Sequence, residues 1–297
     1  MKFKSRRIKP MKRKAVIQAL GFFVLRLCLY FVVSILLLFL YDLVKKGGGV
    51  ISWEFLTQPP RRGMTEGGIF PAIVGTFLVT MITAIVAIPL GLFAAIYLNE
   101  YARQGRLTRL IRLSIRNLAG VPSIVYGLFG VVLFVNILTF GTSVLSAGLT
   151  LGLLTLPWTI TASEEALKAV PNSFREGALA LGATKWQAIR TNVLPYALPG
   201  MLTGAVLGLA RAAGETAPIM FTGAAFYLPH LPRSLKDQFM ALPYHLYIMA
   251  TQHHAIVQVR PLAYGTAIVL LALVLGMNLT AIVIRYRRRR QREIHGW

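Results

Sequence analysis

Apolar residues in this chain come in long blocks. Six of them reach the length of a bilayer crossing, at about 22–44, 69–98, 118–140, 143–162, 197–226 and 262–284. A helix rises about 1.5 Å per residue, so about 20 apolar residues cover the hydrocarbon core. Backbone N–H and C=O groups in lipid must be satisfied within the protein, which favours helices. The pattern therefore predicts an all-α integral membrane protein with six transmembrane helices. It divides into a basic arm (1–15), a first transmembrane helix (16–44), an extracytoplasmic loop (45–68), a core of five transmembrane helices (69–284) and a basic tail (285–297). Within the core, 163–196 forms a long polar loop.

Composition strengthens this reading. Hydrophobic residues make up 56% of the 297 and charged residues 14%, against roughly 25% charged in soluble domains, so a soluble globular enzyme is excluded. The net charge of +22 raises nucleic-acid binding, but the basic residues flank apolar blocks: eight lie in 2–14 and six in 285–292. That is the positive-inside pattern, with membrane lipid and no nucleic acid as the expected contact. Six crossings place both termini on one side. The ends, the 99–117 segment with Arg103, Arg106, Arg109, Arg112 and Arg116, and the 163–196 segment are expected in the cytoplasm, with the protein multi-pass in the cell (inner) membrane. The basic start followed by an apolar run resembles a secretory signal, but Tyr41-Asp42-Leu43 offers no small-residue cleavage pattern, so a retained first helix is expected. Cys28 has no cysteine partner.

The 163–196 loop is longer than a turn between neighbouring helices needs. Pro171-Asn172-Ser173 reads as a helix start, with Asn172 or Ser173 as cap and Glu176 in the first turn; Gly182 reads as its end. Phe174, Ala178 and Leu181 recur at helical steps and form a face able to dock into a partner groove. Gly177-x4-Gly182 has the glycine spacing of a phosphate-binding loop, but Ala183-Thr184 stand where Lys and Ser or Thr are required. ATP hydrolysis is thus not expected in this chain, which is read as non-catalytic.

The fifth block holds a cation and an anion, Arg211 and Glu215, four residues apart. Each costs about 2.5–3.5 kcal/mol at a helix centre in lipid, so the pair is expected to face protein or water. Two readings stand: a structural pair on one helix face, or an Arg211 guanidinium offered to a passing oxyanion and oriented by Glu215.

These residues also carry a resemblance. Glu176-Gly177-Ala178, Gly182 and Leu194-Pro195 resemble the EAA loop of importer permeases, with Gly177 in place of the middle alanine and Asn192 where isoleucine is usual. Arg211-x3-Glu215-Thr216-Ala217-Pro218 and the stretches 67–76, 117–128 and 161–171 resemble PstA-type permeases of the bacterial phosphate ABC importer. The resemblance implies the type I importer permease (MetI-like) fold. It implies inorganic phosphate as substrate, and as partners a second PstC-type permease, two PstB-type ATPases and an extracytoplasmic PstS-type phosphate-binding protein. It further implies that Phe174, Glu176, Gly177, Ala178, Leu181 and Gly182 belong to a coupling helix seated in the ATPase, and that Arg211 and Glu215 matter for transport. No cofactor is expected on this chain; ATP and Mg belong to the partner ATPase.

The outer loop 227–261 contains a helical-looking stretch from 234 to 251, with Leu235, Phe239, Leu242, Leu246 and Met249 at near-helical spacing. It either docks a receptor or fills the outer mouth of the bundle. His230, His245, His253 and His254 lack a recognisable ligand spacing, so no metal is expected. A secondary transporter or oxyanion channel and a membrane enzyme are the rival functions, and sulfate or molybdate the rival substrates. Glu215 is the one acidic residue placed deep in a span, few for ion coupling, and no nucleophile–base cluster is visible.

Overall fold

A computed structural model describes residues 12–295; the basic positions Lys2, Lys4, Arg6, Arg7 and Lys9 and the last two residues lie outside the described residues. Helix α1 (Lys12–Gly47) is followed by a short α2 (Trp53–Thr57) and a two-stranded hairpin, β1 (Pro60–Arg61) and β2 (Glu66–Gly67). Next come α3 (Phe70–Ile96), α4 (Arg106–Leu118), α5 (Ser123–Gly130) and α6 (Val144–Lys168). The chain continues with α7 (Asn172–Ala180), α8 (Lys185–Ala188), α9 (Leu194–Ala212), α10 (Ala217–Thr222), α11 (Leu242–Thr251) and α12 (Ile256–His295). Among the described residues five stretches are long and apolar enough to cross a membrane: Val16–Val50, Phe70–Tyr101, Val144–Lys168, Lys185–Ala212 and Ile256–Thr280. A sixth crossing is available only if a sharply bent pair, α4 with the segment Ser123–Ile137, counts as one.

The core forms where α3, α6 and α9 pack together. Lipid offers no hydrophobic drive between helices, so close approach by small residues has to bring them together. Gly200 and Gly204 of α9 lie against Ala166 and Ala162 of α6; a Cβ on Gly200 would come 2.9 Å from the Ala166 methyl. Thr76, Thr80 and Thr83 of α3 return their hydroxyls to carbonyls four residues back, and Thr83 also donates to the Gly148 carbonyl of α6 at 3.1 Å. Their polar atoms are thus satisfied in the core. Helix α1, by contrast, is apolar and exposed along most of its length and meets α12 near Gly47, which sits on the Tyr264 backbone.

Three expectations need correction. The third block is not one helix over 118–140: α4 ends at Leu118, Pro122 interrupts the chain, and the segment Ser123–Ile137 departs at 101°. Proline cannot donate the next helical bond, and the arginines of α4 keep that helix out of hydrocarbon. The fifth block does not run continuously over 197–226. Helix is continuous instead from α8 through a π-helical turn (Ile189–Val193) into α9, stops at Ala212, and restarts as α10 with Pro218 in its first turn. The wider π turn lies immediately before Pro195, which has no N–H to give. As a result the polar loop is shorter than 163–196, since α6 reaches Lys168 and α8 begins at Lys185. Of the expected helical stretch 234–251 only Leu242–Thr251 is helical; residues before it turn on Asp237, whose carboxylate accepts the Arg233 and Ser234 N–H groups. Phe239, Leu242 and Met249 are buried, so this segment fills the bundle rather than offering an apolar stripe to a receptor.

Candidate functional site

Arg211 lies in the last turn of α9, and Glu215 falls in the break before α10 rather than on a continuing helix. The two remain within reach, with Arg211 Nε 3.6 Å from Glu215 Oε1, which is an ion pair but too long for a strong hydrogen bond. The Arg211 guanidinium lies 4.9 Å from the centre of the Trp158 ring on α6, close enough for cation–π attraction. Its side chain is 51% exposed and that of Glu215 17%. Among the described residues the guanidinium makes no hydrogen bond, so its donors are available to an anion. Trp158 carried no signal in the sequence beyond its place in an apolar block.

The second expected site is α7. Helix begins at Asn172, but neither Asn172 nor Ser173 caps it: Pro171 holds that position in extended geometry and its carbonyl accepts the Phe174 N–H at 3.2 Å. Glu176 stands in the second turn, outside the first turn where it was expected. The end at Gly182 is as expected, and the geometry explains it. The Gly182 N–H donates to Leu179 O (3.0 Å) and the Ala183 N–H to Ala178 O (3.1 Å), with Gly182 at φ +84°. This is a Schellman ending, in which the left-handed position favours glycine. The Phe174–Ala178–Leu181 face is partly open, with Phe174 36% and Leu181 90% exposed. Ala178 is buried against its own chain and Phe174 packs on Tyr196 with ring centroids 5.3 Å apart. The open surface also includes Ser173, Glu176, Gly177, Leu179 and Ala180.

Two half-buried arginine hubs, one on α7 and one on α4, were not singled out in the sequence. Arg175 donates from Nη2 to Glu100 Oε1 at 2.7 Å and from Nε to Oε2 at 3.1 Å. It also reaches the Val170 carbonyl from Nη1 at 2.9 Å and the Leu167 carbonyl from Nη2 at 3.0 Å. It thereby ties α7 to the end of α6 and to the π-helical turn Tyr97–Tyr101 that closes α3. Arg112 of α4 does the corresponding work nearby, reaching Glu164 Oε1 at 2.9 Å and the Leu98 carbonyl at 2.7 Å. Glu164 is buried in this pair, while its neighbour Glu165 is exposed and bonded to Lys168. A cleft of about 540 Å³ opens beside Glu100, Arg175, Asn172, Lys168 and Lys185.

The histidines do not converge on a common centre. His253 bridges to the Gly63 carbonyl at 2.6 Å and stacks on His254, while His245 is buried on α11. Among the described residues no group of three or more His, Cys, Asp or Glu is arranged to hold a metal.

Comparison with known proteins agrees with this architecture. Residues 87–292 match the family described as binding-protein-dependent transport system inner membrane component. The chain is 32% identical to the probable ABC transporter permease protein YqgI of Bacillus subtilis strain 168, over 86% of this chain and 90% of that one. It is 37% identical to the phosphate transport system permease protein PstA 1 of Mycobacterium tuberculosis H37Rv, over 77% and 73% respectively. The fold matches a chain of the MetNI methionine ABC transporter with a TM-score of 0.59 at 18% identity, covering 74% of this chain and 97% of that one. This multi-pass membrane chain therefore belongs to the binding-protein-dependent transport system inner membrane components, as a permease of the PstA type.

Proposed function

We propose that the chain is one of two permease subunits of an ATP-driven importer of inorganic phosphate, forming half of the translocation pathway. The observation that carries this reading is the Arg211 guanidinium, seated on Trp158 at the break between α9 and α10 with its N–H donors unspent. An arginine with open donors suits a tetrahedral oxyanion, and weak holding suits a conduit that must release what it admits. The relatives of the PstA type support phosphate over sulfate or molybdate. The second permease is of the PstC type, the receptor is an extracytoplasmic PstS-type protein, and two PstB-type ATPases bind at the cytoplasmic face, using ATP and Mg. Both termini lie in the cytoplasm of a cell whose inner membrane holds the complex. Helix α7 passes the ATPase movement to the spans through its free surface around Glu176, Gly177 and Leu181 and through Gly182 at its end.

The test is uptake of labelled phosphate into proteoliposomes holding the four kinds of subunit, with each omitted in turn and sulfate and molybdate as competitors. Uptake that needs every component and ATP, and that ignores the competitors, is the expected outcome. Uptake by this chain alone would replace the reading with a secondary transporter, and transport of another oxyanion alone would keep the architecture and change the substrate.

A further inference from the structure

Helix α4 has three chemically distinct edges. Toward the protein it turns Thr108, Arg112 and Ile115: Thr108 is buried, Arg112 is locked to Glu164, and Ile115 packs on the cluster where α3, α6 and α9 meet. On one flank Leu107, Leu110, Ile111 and Leu118 are exposed, Leu107 by 71%. On the other flank Arg109 and Arg116 are exposed, with Arg106 at the start of the helix and Leu113, 51% exposed, beside them. At about 100° per residue Leu107, Ile111 and Leu118 lie on the side opposite Arg109 and Arg116, while Leu110 and Arg106, one turn apart, share the boundary between the two flanks. None of Arg106, Arg109 and Arg116 forms an ion pair among the described residues.

The direction of the helix accounts for such a division. Helix α4 stands at 101° to the apolar segment Ser123–Ile137, so when that segment runs along the membrane normal α4 lies close to the membrane plane. One flank then faces the acyl chains and the other the water and headgroups. We propose that α4 is an interfacial helix that binds anionic phospholipid, with Leu107, Leu110 and Ile111 in the acyl region and Arg106, Arg109 and Arg116 on headgroup phosphates. The three guanidinium groups lack acidic partners in the chain, and an anionic headgroup supplies the matching charge. The inference is independent of which oxyanion the protein moves.

Two measurements on the full chain, assembled with its second permease and ATPase in nanodiscs, test it. In a Cys28→Ser background, nitroxide labels are placed separately at Leu110→Cys and Arg116→Cys. The label at 110 is expected to collide with oxygen and not with a water-soluble nickel chelate, and the label at 116 to show the reverse. Shielding of 110 from both reagents would mean that the partner permease covers the flank, and access of nickel to 110 would mean that the helix leaves the membrane; either overturns the inference. The second measurement is the preference for spin-labelled phosphatidylglycerol over phosphatidylcholine at low ionic strength. R109Q/R116Q is expected to lower it by about five-fold per arginine, and an unchanged preference overturns the headgroup contact.

Discussion

Arg211 and Arg175 are the same side chain in opposite bonding states. Arg175 is 20% exposed and spends its guanidinium on Glu100 and two backbone carbonyls, joining three elements. Arg211 is 51% exposed, has Glu215 only at 3.6 Å, and rests on an aromatic face. A saturated buried arginine fixes geometry, because moving it leaves charges without partners. An unsaturated one in a helix break keeps donors free for something that comes and goes. The contrast separates the part of the molecule that holds shape from the part that can handle an anion.

The contrast fails first if Arg175 proves dispensable. Arg175→Ala leaves Glu100 buried without its cation, a loss of about 3–5 kcal/mol for a buried pair. Thermal unfolding in detergent should show a large loss of stability, with Arg175→Lys in between; an unchanged midpoint would contradict the hub. Arg211→Gln should do the opposite. Stability and assembly stay near wild type while initial phosphate uptake falls about ten- to a hundred-fold, the worth of hydrogen bonds to a charged group. Wild-type uptake across several phosphate concentrations would take Arg211 out of the pathway. The smallest effect is expected at Gly182, where Gly182→Val forces a branched side chain into a left-handed position at about 1–2 kcal/mol. The end of α7 should shift, so that ATP consumed per phosphate moved rises while the ATPase still binds; a wild-type ratio would remove Gly182 from coupling.

The hairpin between α1 and α3 illustrates what could not be read from residue order: His253 reaches the Gly63 carbonyl across 190 positions, and no local pattern marks either end of that bond. Glu164 and Glu165 make the same point more sharply. They are neighbours with identical chemistry, yet one is buried against Arg112 and the other is solvated, because helix α6 turns about 100° between them. Trp158 was likewise one aromatic in an apolar run until α9 brought Arg211 over it.

From its order of residues alone, the chain determined its membrane class, the approximate places of its spans, the polar segment containing α7 and the stop at Gly182. These follow from quantities that act locally: transfer of an apolar block into lipid, the missing N–H of proline and the left-handed freedom of glycine. Tertiary structure decided that the third block turns through 101° at Pro122, that the fifth breaks between Arg211 and Glu215, and that Ala178 turns inward while Phe174 rests on Tyr196. It also chose Glu100 for Arg175, 75 positions away. Burial and charge pairing depend on which faces meet across the bundle, and that is settled only when the helices pack.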